Sequence, residues 1–191
     1  METLIKGSSY VVLMINDLLP RKTSEYPAHF LTRLVGKLYA LMKREECVQV
    51  FLFQSTSLAA NVSGETPVFS NVVKKTTRRG DPLIHDLDAV MKKIAIEHCL
   101  RPASSSKKDK IQAGGSDKSA QESQQTTVPP QFAFLVTRPT ILLQNGPGCK
   151  RLFASKSQPG PVPISHVDLA EFSLTALTTT KLFNTSPYVV A

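Results

Sequence analysis

The sequence lacks the features that mark several classes of protein. Its 191 residues include no tryptophan, and its three cysteines, Cys47, Cys99 and Cys149, are odd in number and widely spaced. That pattern excludes a disulfide framework and a zinc knuckle, and isolated thiols are typical of a reducing compartment. No apolar run approaches the about 20 residues of a membrane-spanning helix, and the N-terminus has no signal-peptide core. The sequence therefore predicts a soluble, cytoplasmic protein with no membrane partner.

Positive charge is in excess, but it is not concentrated. The net charge of +8 would suit an anionic partner such as a dinucleotide phosphate or a nucleic acid. The densest basic cluster is Lys74, Lys75, Arg78 and Arg79, in a stretch whose composition is typical of a loop. No motif with interleaved aromatic residues accompanies it, as RNA-binding modules would require. We interpret the cluster as a solvated loop and expect no nucleic-acid partner.

The first half of the chain has the pattern of a strand, a helix and a second strand. Val11–Ile15 is a short apolar run without alternation, which predicts a strand buried on both faces, as in a parallel sheet. From Ala28 to Lys43 apolar residues recur at three- and four-residue steps, which predicts an amphipathic helix. Val48–Phe53 is the second strand. This order with short connections indicates a βαβ unit.

The second half continues the alternation around a low-complexity segment. A helix is predicted from Asp81 or Pro82 until Arg101-Pro102 closes it. Residues 103–130 are almost devoid of apolar side chains, so we expect a disordered insertion within a single domain that spans 1–191. The remaining predicted elements are a strand at Phe132–Thr137 that Arg138-Pro139 ends, apolar residues at Thr140–Leu143, a short strand at Arg151–Ser155, a helix capped by Ser165 that runs to about Leu177, and a strand at Tyr188–Ala191.

Four motifs, in their order along the chain, resemble those of a known protein family. A strand that ends in Arg138-Pro139 precedes the helix that Ile164-Ser-His-Val-Asp-Leu-Ala-Glu-Phe opens. Both resemble the C-terminal half of the atypical short-chain dehydrogenases/reductases that bind NAD(P)H, a group that includes NmrA-like proteins and biliverdin/flavin reductases. Val50–Ser57 is similar to the fifth strand of that family, and Leu4–Ile15 to the end of its third helix and its fourth strand. The resemblance implies a partial Rossmann-like parallel sheet of about four strands with flanking helices.

The sequence contains no Gly-x-x-Gly-x-x-Gly segment, which the family carries in its first half. Those glycines let the backbone approach the cofactor's pyrophosphate at a helix N-terminus. We therefore expect a truncated domain, and we keep two alternatives to a reductase: an incomplete gene product and a non-catalytic interaction protein. Because the family's first strand would lie beside its fourth, Val11–Ile15 would be an edge strand that a homodimer or a partner chain covers.

The resemblance implies which residues line the nicotinamide side of a cofactor site. Ligands of such folds bind beyond the carboxyl ends of parallel strands, and the matching cofactor-binding positions are Asn16, Ser55 and Pro139, Thr140 and Ile141. Ser55 would donate a hydrogen bond to a substrate carbonyl or to the carboxamide. The alternative for Ser55 is a serine that caps a turn at a strand end. Arg138-Pro139 is interpreted as setting the geometry between strand and loop.

The proton relay of the family is incomplete here. Lys93 falls where the lysine of Tyr-x-x-x-Lys would stand, and Ala89 occupies the tyrosine position. By the resemblance, Ser55 and Lys93 are the residues that we predict to be catalytic. The alternative for Lys93 is a lysine that is exposed to solvent on the surface of a helix. No metal site is expected. The predicted function is an NAD(P)-binding reductase-like protein, with NADP or NAD as cofactor, that transfers hydride to an unknown small substrate if it is active.

Overall fold

The described part of the chain is an α/β structure. The computed structural model describes residues 5–14, 27–64, 82–100, 130–143, 148, 151–157, 160 and 163–191. The strands in these ranges are β1 Tyr10–Leu13, β2 Val50–Gln54, β3 Ala133–Pro139, β4 Ile141–Leu143, β5 Phe153–Ser155, β6 Pro163–Ser165 and β7 Tyr188–Val190. The α-helices are α1 Phe30–Met42, α2 Pro82–Glu97 and α3 His166–Ala176, and Thr180–Leu182 is a 3-10 turn.

The central sheet has the strand order β1-β2-β3-β7-β5. β1, β2, β3 and β7 run parallel to one another, and β5 joins β7 in the antiparallel sense. The register aligns Phe53 with Leu13 on one side and with Val136 on the other. β4 and β6 form a separate parallel pair. The predicted α/β class with a mostly parallel sheet is confirmed.

Different helices cover the two faces of the sheet. Side chains alternate along a strand, and Phe53 and Val136 share one face with the buried residues of α1 and α2. Leu52 and Leu135 point to the opposite face, where they pack against Ala176 of α3. We call these the α1/α2 face and the α3 face. The sheet is thus the middle layer of three, which is the usual way to bury a parallel sheet.

The prediction that the first strand is buried on both faces is wrong. Val11 and Leu13 pack on the core of the α1/α2 face, but Tyr10 and Val12 are exposed. β1 is the edge strand of the described sheet, and α3 lies over β2 and β3. The strand also begins one residue before the predicted start and ends at Leu13, whereas Ile15 lies outside the described residues.

The helix predicted to run to Arg101 ends earlier. α2 stops at Glu97, and Cys99 takes the left-handed conformation, with φ of 53°. The N–H of Leu100 donates to the carbonyl of Ala95 at 2.9 Å, which is the long hydrogen bond of a Schellman motif. Backbone geometry therefore terminates the helix before the proline is reached.

β3 continues through the dipeptide that was expected to end it. Arg138 and Pro139 belong to the strand and pair with β7. Proline has no N–H to donate, but the carbonyl of Pro139 accepts the N–H of Ser57 at 2.9 Å, so the residue still takes part in the ladder. β2 begins at Val50, two residues later than predicted.

Within the described ranges, no helix is long and apolar enough to cross a bilayer. The predicted insertion at 103–130, apart from Pro130, lies outside the described residues, as does the basic cluster at 74–79.

Candidate functional site: the carboxyl ends of β2 and β3

Polar residues follow the apolar stretches of two neighbouring strands at the same edge of the sheet. The N–H of Ser55 donates to the carbonyl of Thr137 at 2.9 Å, and that of Ser57 to the carbonyl of Pro139 at 2.9 Å. These bonds continue the parallel ladder past the end of β2, and all four residues are buried. The carboxyl ends of parallel strands are where open α/β sheets bind their ligands. We call this the strand-end site.

Ser55 is the predicted catalytic residue that lies in this site. Its side chain is 3% exposed, and its Oγ has no hydrogen-bond partner among the described residues. The turn-capping role considered for it belongs instead to Thr56, whose Oγ1 accepts the N–H of Leu58 at 3.3 Å. A buried hydroxyl without a partner is costly, so Ser55 is chemically suited to donate to an oxygen of a bound molecule.

Arg138 ties together the loops around the site. Its guanidinium donates to the carbonyls of Ala59 at 3.1 Å and Ser186 at 3.4 Å. It also lies 4.0 Å from the centre of the Tyr188 ring, a distance at which a cation–π interaction is favourable. These contacts join the loop after β2 to the segment that enters β7. They favour the interpretation that Arg138 sets the geometry of the strand end.

The predicted cofactor-binding residues differ in their exposure. Pro139 is buried, Thr140 is half-buried and Ile141 is 46% exposed in β4. These three residues follow one another from the buried strand end to the surface, and the first of them, Pro139, is hydrogen-bonded to Ser57, two residues after Ser55. Asn16 lies outside the described residues.

The structure does not bring Lys93 to the strand-end site. Its Nζ lies 3.4 Å from Oε1 of Glu97, one turn further along α2. Its Cε packs closely on Gly36 of α1, 3.1 Å from where a Cβ on that glycine would stand. The carboxyl end of the sheet is reached by the other end of α2, where Oδ1 of Asp88 accepts the N–H of Ala60 at 2.8 Å. The ammonium is therefore directed towards the amino ends of the strands.

A second group of titratable residues surrounds Glu97 at that opposite edge. Nζ of Lys43 lies 2.6 Å from Oε2 of Glu97. Burial raises the pKa of Glu97, but the hydrogen bond and charge of Lys43, together with Lys93, outweigh it and lower the pKa overall. The neighbouring His98 hydrogen-bonds the hydroxyl of Tyr39 at 3.1 Å. Burial raises the pKa of Tyr39 and lowers that of His98 to about 4, so this pair is neutral near pH 7.

The start of α3 is built as the sequence predicts. The Oγ of Ser165 accepts the N–H of Asp168 at 3.0 Å, which is the geometry of an N-cap. Asp168 is buried in the first turn, where a carboxylate suits the helix dipole. His166 is the first residue of α3 and His85 is exposed on α2. Among the described residues, no cluster of His, Cys, Asp or Glu is arranged to hold a metal ion.

Comparison with known proteins decides the fold. No protein-family model and no curated protein matches the sequence. A solved structure of a short-chain dehydrogenase/reductase (ethylated) from Veillonella parvula superimposes on 98% of this chain, with a TM-score of 0.51 and 14% sequence identity. The fold is like that of a short-chain dehydrogenase/reductase. The chain covers 65% of the length of that structure, and at this identity the likeness is one of fold alone.

Two buried polar residues at this edge of the sheet were not predicted from the sequence. Gln54 closes β2 and Thr137 is its register partner in β3. Both are buried. The available signal was position: Gln54 is the last residue of β2 and Thr137 stands two residues before the end of β3, so each follows an apolar run at the edge where ligands bind.

Proposed function

We propose that the chain is a reductase-like protein of the atypical short-chain dehydrogenase/reductase type that binds NAD(P) at its strand-end site. The observation that carries the proposal is the unpartnered, buried hydroxyl of Ser55 at the carboxyl end of β2. The fold supports it, because such sheets bind dinucleotides beyond these strand ends. The Arg-Pro strand end and the Ser165-capped helix support the atypical subtype.

The residues of the strand-end site fit the nicotinamide end of a dinucleotide. Ser55 offers a hydrogen-bond donor, and the half-buried Thr140 and the exposed Ile141, which follow Pro139 in the chain, would offer a polar and an apolar contact. The bound cofactor would supply hydride. Ser55 would hold a substrate carbonyl, or the carboxamide, by donating from its Oγ. Because the sequence has no Gly-x-x-Gly-x-x-Gly segment, we expect weak binding of the pyrophosphate.

A role for Lys93 requires that its ammonium leave Glu97. The contact of 3.4 Å and the packing on Gly36 favour the alternative of a surface lysine in an ion pair. In the proposed reaction, Lys93→Met would then leave turnover unchanged, whereas a loss of turnover with an unchanged KM would restore Lys93 to the catalytic set.

Titration with NADPH and NADH tests the proposal. We expect saturable quenching of cofactor fluorescence, with a heat signal in calorimetry. Ser55→Ala should weaken binding or turnover about threefold to tenfold, the value of one neutral hydrogen bond. Ser155→Ala is the matched control, because its Oγ donates to Ser157 at the far edge of the sheet. Absence of saturable binding up to millimolar cofactor would contradict the proposal.

A second candidate is a non-catalytic interaction protein whose partner, a second copy or another chain, covers β1. The observation that favours it is a row of apolar side chains on the α3 face of this edge strand. Tyr10 is 42%, Val12 45% and Met14 39% exposed. An exposed apolar edge strand is a template for pairing with another chain.

The assembly state in solution tests this second candidate. Size-exclusion chromatography with light scattering should show a dimer or a larger complex. Val12→Lys should convert this assembly to a monomer, because a lysine in the interface that covers β1 would lose its hydration. Thr178→Lys, on an exposed turn after α3, controls for added charge. A stable, monodisperse wild-type monomer that remains soluble would contradict the candidate.

A further inference from the structure

A layer of three buried polar side chains lies between the sheet and α3. It consists of Gln54 in β2, Thr137 in β3 and Ser173 in α3, and we call it the polar layer. Gln54 and Thr137 are register partners. Each stands two residues after a leucine of the α3 face, Leu52 and Leu135, so both point to that face.

Ser173 is placed over these two residues by contacts on either side of it. Leu169, four residues before it, packs against Val189 of β7, and Val189 neighbours the last residue of β3. Ala176, three residues after it, packs against Leu135, further back along β3. Residues at these spacings share one stripe of a helix. Ser173 therefore faces β3 between these two levels, where Thr137 lies.

All three side chains are buried and each has an atom without a partner. Gln54 is 4%, Thr137 0% and Ser173 2% exposed. In the described part of the chain, Nε2 of Gln54, Oγ1 of Thr137 and Oγ of Ser173 make no hydrogen bond. Native proteins pair nearly all such groups, and three in one place call for a common partner.

The chemistry of the three atoms defines that partner. An amide nitrogen can only donate, and a hydroxyl can donate or accept. Together they match an oxygen that accepts several hydrogen bonds. The nearest buried cation, Arg138, points to the α1/α2 face, where it lies on the Tyr188 ring. Arg138 therefore cannot neutralise an anion bound on the α3 face. Burying a charge without an opposite charge beside it is costly, so the ligand is expected to be uncharged.

We propose that the polar layer binds the carbonyl or hydroxyl oxygen of a small uncharged molecule. The layer lies at the carboxyl end of β2 and β3, the edge at which such sheets take up ligands. It shares this edge with Ser55 but occupies the other face of the sheet. The site does not depend on dinucleotide binding, so the two proposals stand or fall separately.

Acetamide and acetate are the probes that test the polar layer, because they have nearly the same shape and differ in charge. We expect acetamide to shift the side-chain amide resonances of Gln54 in nitrogen–proton correlation spectra and to saturate. Acetate should produce no saturable shift. Ser173→Ala and Thr137→Val should each weaken the acetamide response about threefold to tenfold.

Matched controls separate binding from damage to the fold. Thr175→Val removes an exposed hydroxyl of α3 that donates to the carbonyl of Glu171, and it should leave the acetamide response unchanged. Without probe, Ser173→Ala and Thr137→Val should keep or raise the melting temperature, because each removes an unpaired buried hydroxyl.

Four outcomes would overturn the proposal. The Gln54 amide could contact only buried water and not respond to acetamide, or it could hydrogen-bond Thr137 or Ser173 directly. Acetate could bind as well as acetamide. The acetamide response could remain linear and equal in all variants, which would indicate an adventitious additive only.

Discussion

The N–H of Leu31 in the first turn of α1 donates to Oδ2 of Asp86 in α2 at 2.7 Å. The N–H of Thr32 donates to Oδ1 of the same carboxylate at 3.1 Å, and the hydroxyl of Thr32 also donates to it. The residue before α1, His29, has a left-handed backbone and offers no side-chain cap. A buried acid from a neighbouring helix thus satisfies the N–H groups that a local cap would normally bind.

Replacing Asp86 should therefore destabilise the fold. Asp86→Ala leaves buried N–H groups of α1 without an acceptor and removes a favourable charge from the helix N-terminus, so we expect a loss of about 2–3 kcal/mol in the free energy of unfolding. Urea unfolding followed by circular dichroism measures it. Glu171→Ala, an exposed acid on α3, is the control. A change below about 0.5 kcal/mol for Asp86→Ala would show that water replaces the cap.

The end of α2 offers a stabilising substitution. Cys99 adopts φ of 53°, a conformation that costs a residue with a Cβ more than it costs glycine. Cys99→Gly should raise the free energy of unfolding by about 0.5–1 kcal/mol. Cys99→Ala is the matched control, because it also removes the thiol but retains the Cβ. If the glycine variant is no more stable than the alanine variant, the left-handed cap is not strained.

Much of the fold was predictable because it follows from local periodicity. The apolar spacing of Phe30–Met42 and the apolar run that contains Val50–Gln54 each specify one type of element, and their order specifies a parallel pair. The edge position of β1 was predictable only through the family's strand order. The cap that Asp86 forms on α1 was not predictable, because Asp86 and the N–H of Leu31 that it accepts are 55 residues apart in sequence.

The candidate site was predictable to a smaller extent. Ser55 is predicted because it follows directly from an apolar strand, at the end of the sheet where ligands bind, and the structure places it at that end. Lys93 was assigned by spacing on a helix, and spacing does not reveal that Glu97, one turn away, pairs with its ammonium. Ser173 carried no signal, since a serine in an amphipathic helix has no special partner until the facing strand is known.

Arg138 should contribute to stability through its geometry rather than its charge. Its guanidinium reaches two carbonyls and the Tyr188 ring at the same time, which the single ammonium of lysine cannot do. Arg138→Lys should therefore lower the free energy of unfolding by about 2–3 kcal/mol. Arg151→Lys is the control, because Arg151 is exposed and lies further from its ring, at 5.8 Å from Phe153. Equal stability of the two variants would contradict this role.

His98 should make the fold less stable as the pH falls. Burial holds its pKa at about 4 in the folded chain, the charge of Glu97 opposes this shift, and that of Lys43 adds to it. An unfolded histidine has a pKa of about 6.5. The unfolded chain therefore binds the proton first, so the stability is fully present above about pH 6.5 and is lost progressively towards about pH 4. The lowered pKa of Glu97 adds a further loss that begins near pH 4.5, at the acidic end of that window, and continues below it.

Urea unfolding at a series of pH values between about 7 and 4 measures this loss. His98→Gln keeps a polar partner for the hydroxyl of Tyr39 and cannot take up a proton, so its stability should fall less steeply over the same interval. His166→Gln, on the first residue of α3, is the control and should follow the wild type. The resonances of His98 should titrate near pH 4 in the folded protein. A midpoint near about 6.5, or parallel curves for wild type and His98→Gln, would show that the imidazole is solvated and that the Tyr39 contact does not exclude its charged form.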